Sequence, residues 1–242
     1  MLKFQGESMT SEKIAIVTAG GGGIGEGVCR ELKNSGYRLT IMSRSESCEK
    51  LAEELGGIGV RGSVTDPGDL ENVVSTTMKK FGRIDAVVNH TAHPPKGELL
   101  EIDDEAWHSG LDVLILNVVR MARLVTPHML EQGHGAWVNI STFAAFEPEQ
   151  SLPVSCTLRA GLSAFAKLYA DRYAASNIRM NNVLPGYIDS LDHAESTKER
   201  IPLGRIGTVQ EIAQTTRFLI SDEAGYITGQ NLIVDGGITR HL

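Results

Sequence analysis

The residues with the clearest chemical meaning are the glycines of TAGGGGIGEG (18–27). They follow the short apolar run IAIVTA (14–19) and open a segment with helical patterning to about Ser35. In that setting glycines let the backbone approach a phosphate and let the helix pack closely on the strand. Backbone N–H groups from Gly21 to Ile24 then face a pyrophosphate, and the helix N-terminus favours its negative charge. Gly23 and Gly25 serve close backbone approach and close packing. The next apolar run, RLTIMS (38–43), ends in Ser43-Arg44. A carboxylate there would accept hydrogen bonds from an adenosine ribose, as NAD use commonly requires, and none is present. The planar fork of Arg44 suits a ribose 2′-phosphate, which favours NADP over NAD.

Proton transfer has several candidates near the strand ends. His90 and His93 lie in the loop after IDAVVN (84–89), Tyr187 follows IRMNNVLP (178–185), and His193 comes six residues later. A histidine titrating near neutrality suits general acid work. Cys156 adjoins Ser155 but points to another helix face. The histidines and the three cysteines (Cys29, Cys48, Cys156) show no metal-ligand spacing, so no metal is expected.

The elements that must position these residues alternate along the chain. Strand-like runs fall at 14–19, 38–43, 57–62, 84–89, 135–142, 178–185 and 231–237. Helical patterns fall between them, at 46–55, 69–81, 103–131 with a break, 155–176 and 210–219. In the 155–176 helix Leu158, Leu162, Phe165 and Leu168 recur along one side, and Tyr169 and Tyr173 read as packing residues. Apolar strands separated by helices predict an α/β, Rossmann-type, doubly wound, seven-stranded parallel sheet flanked by helices. The segment 13–242 reads as one such domain, with a lid at 189–204 and a flexible arm at 1–12.

Composition narrows the function classes. The net charge of -7 and the lack of a basic stripe exclude nucleic acid as an expected partner. No run reaches the length of apolar residues a membrane span needs, and 1–12 lacks a signal peptide's apolar core. A reducing, cytoplasmic setting is expected. FEPEQSLP (146–153) carries two carboxylates near the expected substrate pocket, which read as solvated surface or, alternatively, as groups that disfavour an anionic substrate.

VTAGGGGIG (17–25), VVNHTA (87–92), IRMNNVLPGYIDS (178–190) and PLGRIGTVQEIAQTTRFLISDEAGYITGQNLIVDGG (202–237) together resemble the short-chain dehydrogenase/reductase family. The last run resembles its bacterial 3-ketoacyl-carrier-protein reductases and its sugar or alcohol dehydrogenases. The resemblance implies hydride transfer between a nicotinamide and a carbonyl or alcohol. A tyrosine would carry the proton, a lysine four residues on would bind the nicotinamide ribose, a serine would orient the carbonyl, and an asparagine would support a relay water. Carried onto this chain, Asn117 matches the asparagine and Thr142 falls at the serine position. Thirteen residues later Ser155 takes the tyrosine position and Arg159 the lysine position. Ser155 and Arg159 share a helix face, but neither is the usual proton-transfer group. The same resemblance adds Thr18, Ser63, Val64, Asn89, Pro185, Gly186 and Ile188, with Arg159 again, to the cofactor contacts. Ser63 stands where an aspartate often contacts adenine. Ala19 replaces the first glycine of the loop, so its Cβ predicts negative φ or a small shift there.

The resemblance also implies a homotetramer or homodimer built on the 103–131 and 155–176 helices and the C-terminal strand region. Two readings follow. The chain is an NAD(P)(H)-binding oxidoreductase with atypical proton transfer acting on an unknown small molecule. Alternatively, it is a catalytically impaired dinucleotide-binding protein with a regulatory or assembly role.

Overall fold

The computed structural model describes residues 12–240, so the expected arm lies outside it except for Glu12. Seven strands form one sheet, ordered β3-β2-β1-β4-β5-β6-β7, and every pairing is parallel. They are β1 (Lys13–Thr18), β2 (Tyr37–Ser43), β3 (Ile58–Arg61), β4 (Ala86–Asn89), β5 (Gly135–Ile140), β6 (Ile178–Pro185) and β7 (Asn231–Val234). The expected doubly wound architecture is present.

Strand residues alternate between two cores, as the period of two requires. Ala15, Val17, Leu39, Ile41, Val88 and Val138 face one side. There they pack under α1 (Gly23–Asn34), α2 (Ser47–Leu55) and α8 (Val209–Ile220). Ile16, Met42, Val87, Trp137 and Met180 face the other side. That side is covered by α3 (Pro67–Phe81), α5 (Asn117–Gln132) and α6 (Pro153–Tyr173). The order reverses between β1 and β4, which opens a crevice at the carboxyl ends of those strands.

Several boundaries differ from the sequence reading for local reasons. The break expected in 103–131 is a π turn over Asp112–Leu116, between α4 (Asp104–Leu111) and α5. The Asn117 amide reaches back to the Val113 carbonyl there. β5 stops at Ile140 because Thr142 caps a short 3₁₀ turn, Phe143–Ala145. β7 stops at Val234 because the Asp235 carboxylate accepts from the Gly237 and Thr239 N–H groups, and both following glycines have positive φ. Helix α6 begins at Pro153, whose fixed φ suits a first helical position.

One packing expectation fails. Leu168 is exposed, and the buried face of α6 runs instead through Ser155, Arg159, Leu162, Ala166 and Tyr169. Tyr169 packs as expected, against Trp137, Phe165 and Tyr173, with its hydroxyl on Thr126 at 2.7 Å. By length and composition alone the helical run 104–132 could cross a membrane. Within it Leu114, Val118, Met121, Val125 and Met129 form a buried stripe, while Leu130 is exposed.

Candidate active site

Two cavities, of about 560 and 530 Å³, open along the crevice and share Gly22 and Thr91 in their walls. The first lies toward β2 and β3. Gly21, Ser43, Arg44, Ser63 and Val64 line it. Ser45 and Ser47, from the same loop as Arg44, and Thr65 and Ser109, from distant ones, join them, and the sequence reading named none of the four. Ser45 and Ser47 are hydrogen-bonded to each other at 2.7 Å, as are Ser63 and Thr65 at 2.8 Å. Among the described residues no acidic side chain lines this cavity.

The glycine loop is fixed by sterics. A Cβ on Gly25 would stand 2.2 Å from the Ala19 carbonyl oxygen, so only glycine lets α1 pack so close to the loop. Helix α1 starts at Gly23, with Gly22 as an N-cap that offers no side-chain acceptor. Its first N–H groups are thus left for a ligand. Ala19 corrects the expectation of negative φ, since it is left-handed at φ 47°. The turn keeps the geometry glycine would adopt, and Ala19 bears the strain.

The second cavity lies over β5, α6 and the segment after β6. Gly22, Gly23, Ile24, Thr142, Ser155, Arg159, Pro185, Gly186 and Ile188 all border it. Gly186 is required by space, since a Cβ there would stand 2.7 Å from the Asp235 Cα. Thr18, Gly25, Asn89 and Asn117 lie behind the walls and do not line them. Thr18 Oγ1 donates to the His90 carbonyl at 2.7 Å and accepts from the His90 N–H at 2.9 Å, tying β1 to the loop after β4. Asn89 Nδ2 donates to Asn117 Oδ1 at 2.9 Å, which pins β4 to the π turn. The positions of the proposed tetrad are therefore split, with three on the wall and Asn117 supporting it.

Arg159 is 93% buried, being 7% exposed. Its Nη1 donates to the Ile140 carbonyl at 2.9 Å. Its Nε is buried without a partner among the described residues. Burial lowers its pKa to about 10 and no carboxylate raises it again, so it is still cationic at neutral pH.

The other candidates behave differently from the sequence reading. Burial, then Arg159 and His93, lower the His90 pKa to about 4. It is therefore neutral at pH 7 and cannot serve there as a cationic acid. His93 is lowered by burial, Lys96 and Arg159. Tyr187 is raised by burial and by donating to Glu149 at 2.8 Å. Glu149 is not free solvated surface, because Arg200 pairs with it at 3.1 Å and it lines the cavity. Burial pushes the Cys156 thiol pKa up, while its sulfur accepts from the Glu149 N–H at 3.4 Å.

The 189–204 excursion contains α7 (Glu195–Glu199) and is pinned at its base by the Ile188–Gly207 bridge. Ser190, Leu191, Asp192 and His193 border the cavity from this segment. Among the described residues no cluster of three His, Cys, Asp or Glu side chains is placed to hold a metal.

The profile of the family described as enoyl-(acyl carrier protein) reductase matches residues 18–239. The 3-oxoacyl-(acyl-carrier-protein) reductase of Escherichia coli is 32% identical over 236 residues, covering 93% of this chain and 97% of that protein. The chain belongs to the short-chain dehydrogenase/reductase family. A second curated member, human dehydrogenase/reductase SDR family member 4, is 32% identical over 248 residues, covering 96% and 89% of the two chains. Among solved members, L-sorbose reductase from Gluconobacter frateurii, complexed with NADPH and L-sorbose, superposes with a TM-score of 0.90 at 27% identity, covering 96% and 98%. YwfH, an NADPH-dependent reductase involved in bacilysin biosynthesis, shares the fold with a TM-score of 0.91 at 22% identity, covering 96% and 100%. As a family member the chain is an NAD(P)(H)-binding oxidoreductase of the carbonyl/alcohol type. The two adjoining cavities, the Cβ-free loop and the open N-terminus of α1 fit a dinucleotide.

Proposed function

We propose that the chain uses NADP(H) to interconvert a carbonyl and an alcohol without an ionisable Tyr–Lys pair. The single observation that carries this is the wall joining a cofactor-shaped crevice to Thr142, Ser155 and Arg159. The bound nicotinamide supplies or accepts the hydride. Arg44, with the hydroxyls of Ser43, Ser45, Ser47 and Thr65 around it, receives the 2′-phosphate, and among the described residues no carboxylate lines that cavity to repel it. The G. frateurii relative, which binds NADPH, supports the same preference.

Thr142 and Ser155 hold the carbonyl oxygen by hydroxyl donation. Neither ionises near neutrality, so proton delivery is the slow step and runs through hydroxyls to solvent. Asn117, Asn89 and Thr18 keep this wall in register from behind. Leu191 and His193 in the 189–204 segment act as a lid over the substrate. The protein assembles as a homotetramer or homodimer through the 103–131 and 155–176 helices, where Leu130 and Leu168 are exposed.

The test is fluorescence titration with NADPH and NADH, followed by turnover on a ketone and alcohol panel. NADPH should bind more tightly, and Arg44→Glu should weaken it by at least about tenfold, the value of one charged contact, with NADH little changed. The double variant S155Y/R159K should raise turnover by about 10²-fold or more, as restored acid–base catalysis does. Tight NADPH binding with no turnover in either protein would instead leave a regulatory or assembly role.

A further inference from the structure

Reduction of a carbonyl needs a proton as well as a hydride, and the hydroxyls of Thr142 and Ser155 are too weakly acidic to supply it quickly. The other groups singled out in the sequence divide on this point. His90 is buried and neutral at pH 7, and burial, Lys96 and Arg159 push His93 in the same direction. His193 Nε2 is hydrogen-bonded to the Ile188 carbonyl at 2.8 Å. Cys156 is buried, with its sulfur held by the Glu149 N–H. Tyr187 is different. Among the described residues it is the one phenol that borders the same cavity as Thr142 and Ser155.

Its hydroxyl sits in a charged network drawn from three separate segments. Tyr187 Oη donates to Glu149 Oε1 at 2.8 Å and accepts from Arg200 Nη1 at 3.1 Å. Arg200 Nη2 donates to the same Glu149 oxygen at 3.1 Å. The ring is held by Phe143 and His193, at 5.7 and 5.2 Å between ring centres. The Glu149 side chain is 20% exposed, so it also reaches water. Behind the ring, Arg205 is paired with Glu211 at 2.6 Å, and Asp235 accepts from the Gly237 and Thr239 N–H groups. Lys96 and Asp192 border the cavity itself, and Glu147 and Arg240 border the hollow that adjoins it at Phe143 and Glu149.

We propose that Tyr187 is the general acid of the reduction, with Arg200 holding the phenolate it becomes and Glu149 returning its proton from water. This role rests on the proposed carbonyl chemistry. The phenol hydrogen turns about its C–O bond from Glu149 to the carbonyl oxygen. As hydride reaches the carbonyl carbon, the π pair moves to that oxygen, the Tyr187 O–H bond breaks and the alcohol O–H bond forms. The phenolate keeps the Arg200 N–H and regains a proton from water through Glu149. Alcohol oxidation runs the same proton in reverse. At rest, burial and Glu149 raise the Tyr187 pKa while Arg200 opposes them, so the phenol is protonated at neutral pH, the state an acid requires.

The test pairs turnover of ethyl acetoacetate, a neutral 3-oxo ester, by NADPH with an ultraviolet titration of tyrosinate in the unloaded protein. Tyr187→Phe should lower kcat by about 10²-fold, the range of one acid–base group, with NADPH affinity unchanged. A reduction stalls when its acid ionises, so kcat should fall at alkaline pH along with the Tyr187 titration, read as wild type minus Tyr187→Phe. Glu149→Gln should move both curves down by about one pH unit, because a group that raises the phenol pKa is gone. Arg200→Gln should move both up, and by less, because Arg200 is exposed. Opposite shifts from two neighbours of one hydroxyl are not the result of a packing role. Wild-type kcat in Tyr187→Phe would overturn the role, and so would a kinetic curve that stays in place while the tyrosinate curve moves. Either result, with wild type active, removes Tyr187 and leaves the proposed function standing. Absence of wild-type turnover on this ester and across the ketone panel would overturn the proposed function and the relay with it.

Discussion

Arg159 and Arg179 are equally buried, at 7% and 8% exposure, yet they are provided for in opposite ways. Arg179, on β6, donates to the carbonyls of Leu219, Ser221 and Ile227 at 2.7, 2.9 and 3.3 Å. Burial lowers its pKa, and Asp222 and Tyr37 counter that. It joins the end of α8 and the turn before β7 to the sheet. Arg159 has one carbonyl, a buried Nε without a partner and no counter-charge among the described residues. Burial by itself does not distinguish a structural cation from a functional one. The count of satisfied donors does, because buried donors are normally paired.

The largest effect expected is on the structural side. Arg179→Ala leaves three carbonyls without their donor and should destabilise the protein by about 3 kcal/mol or more in urea denaturation. Dinucleotide affinity should not change beyond the loss of folded protein. If the variant unfolds at the wild-type urea midpoint, the structural half of the comparison is wrong.

The next effect is read by pH. The folded His90 pKa of about 4 lies below its unfolded value near 6.5. Between these values the unfolded chain binds more protons, so stability must fall as the pH drops from about 6.5 to 4. A fully buried group with that shift accounts for about 3 kcal/mol across the window. His90→Asn should flatten this part of a denaturation–pH profile. A profile unchanged by the substitution would mean that His90 is not held neutral.

A smaller effect with the opposite sign to Arg179→Ala is expected at Arg159. Replacing a buried unpaired cation with an apolar chain of similar length should leave stability unchanged or raise it by about 1 kcal/mol. Arg159→Met tests this in the same denaturation experiment. It should also narrow the His90 window, because one of the charges that lowers that pKa is gone. Strong destabilisation would place Arg159 with Arg179 as a structural residue.

The smallest effect belongs to Ala19. Releasing left-handed strain gains about 1–2 kcal/mol, and glycine's extra freedom in the unfolded chain returns about 0.4–1 kcal/mol. Ala19→Gly should therefore stabilise by roughly 0.5 kcal/mol, seen as a small rise in thermal midpoint. A loss of stability would mean that the Cβ makes a contact worth more than the strain.

The sheet was legible because each strand is a run of apolar residues bounded by glycine or polar turns, and that pattern is local. The glycine loop was legible for the same reason, since strand, glycines and helix are contiguous. Ala19 was misread because the sequence shows its Cβ but not the packing of Gly25 that sets its φ. Thr65 and Ser109 were missed because distant segments must come together before they meet Arg44, whereas Ser45 and Ser47 follow Arg44 directly and were within reach of the same local pattern. The neutral state of His90 and the missing partner of Arg159 depend on burial and distant charges, which no local pattern records. Glu149 was read as solvated surface because its partners, Tyr187 and Arg200, lie 38 and 51 residues away.

Gly22 borders both cavities, has extended backbone at φ -179°, and has nothing within 4 Å of the place a Cβ would occupy. The fold would accept a side chain there, so its bareness serves only what passes over it. Two binding compartments joined by a short tether gain affinity from high effective concentration, provided the tether can run directly between them. On the proposed use of NADP(H), Gly22 is the sill over which that tether would run. A bulky residue at this point would leave two intact half-sites that no longer reinforce each other, turning one strong ligand into two weak ones.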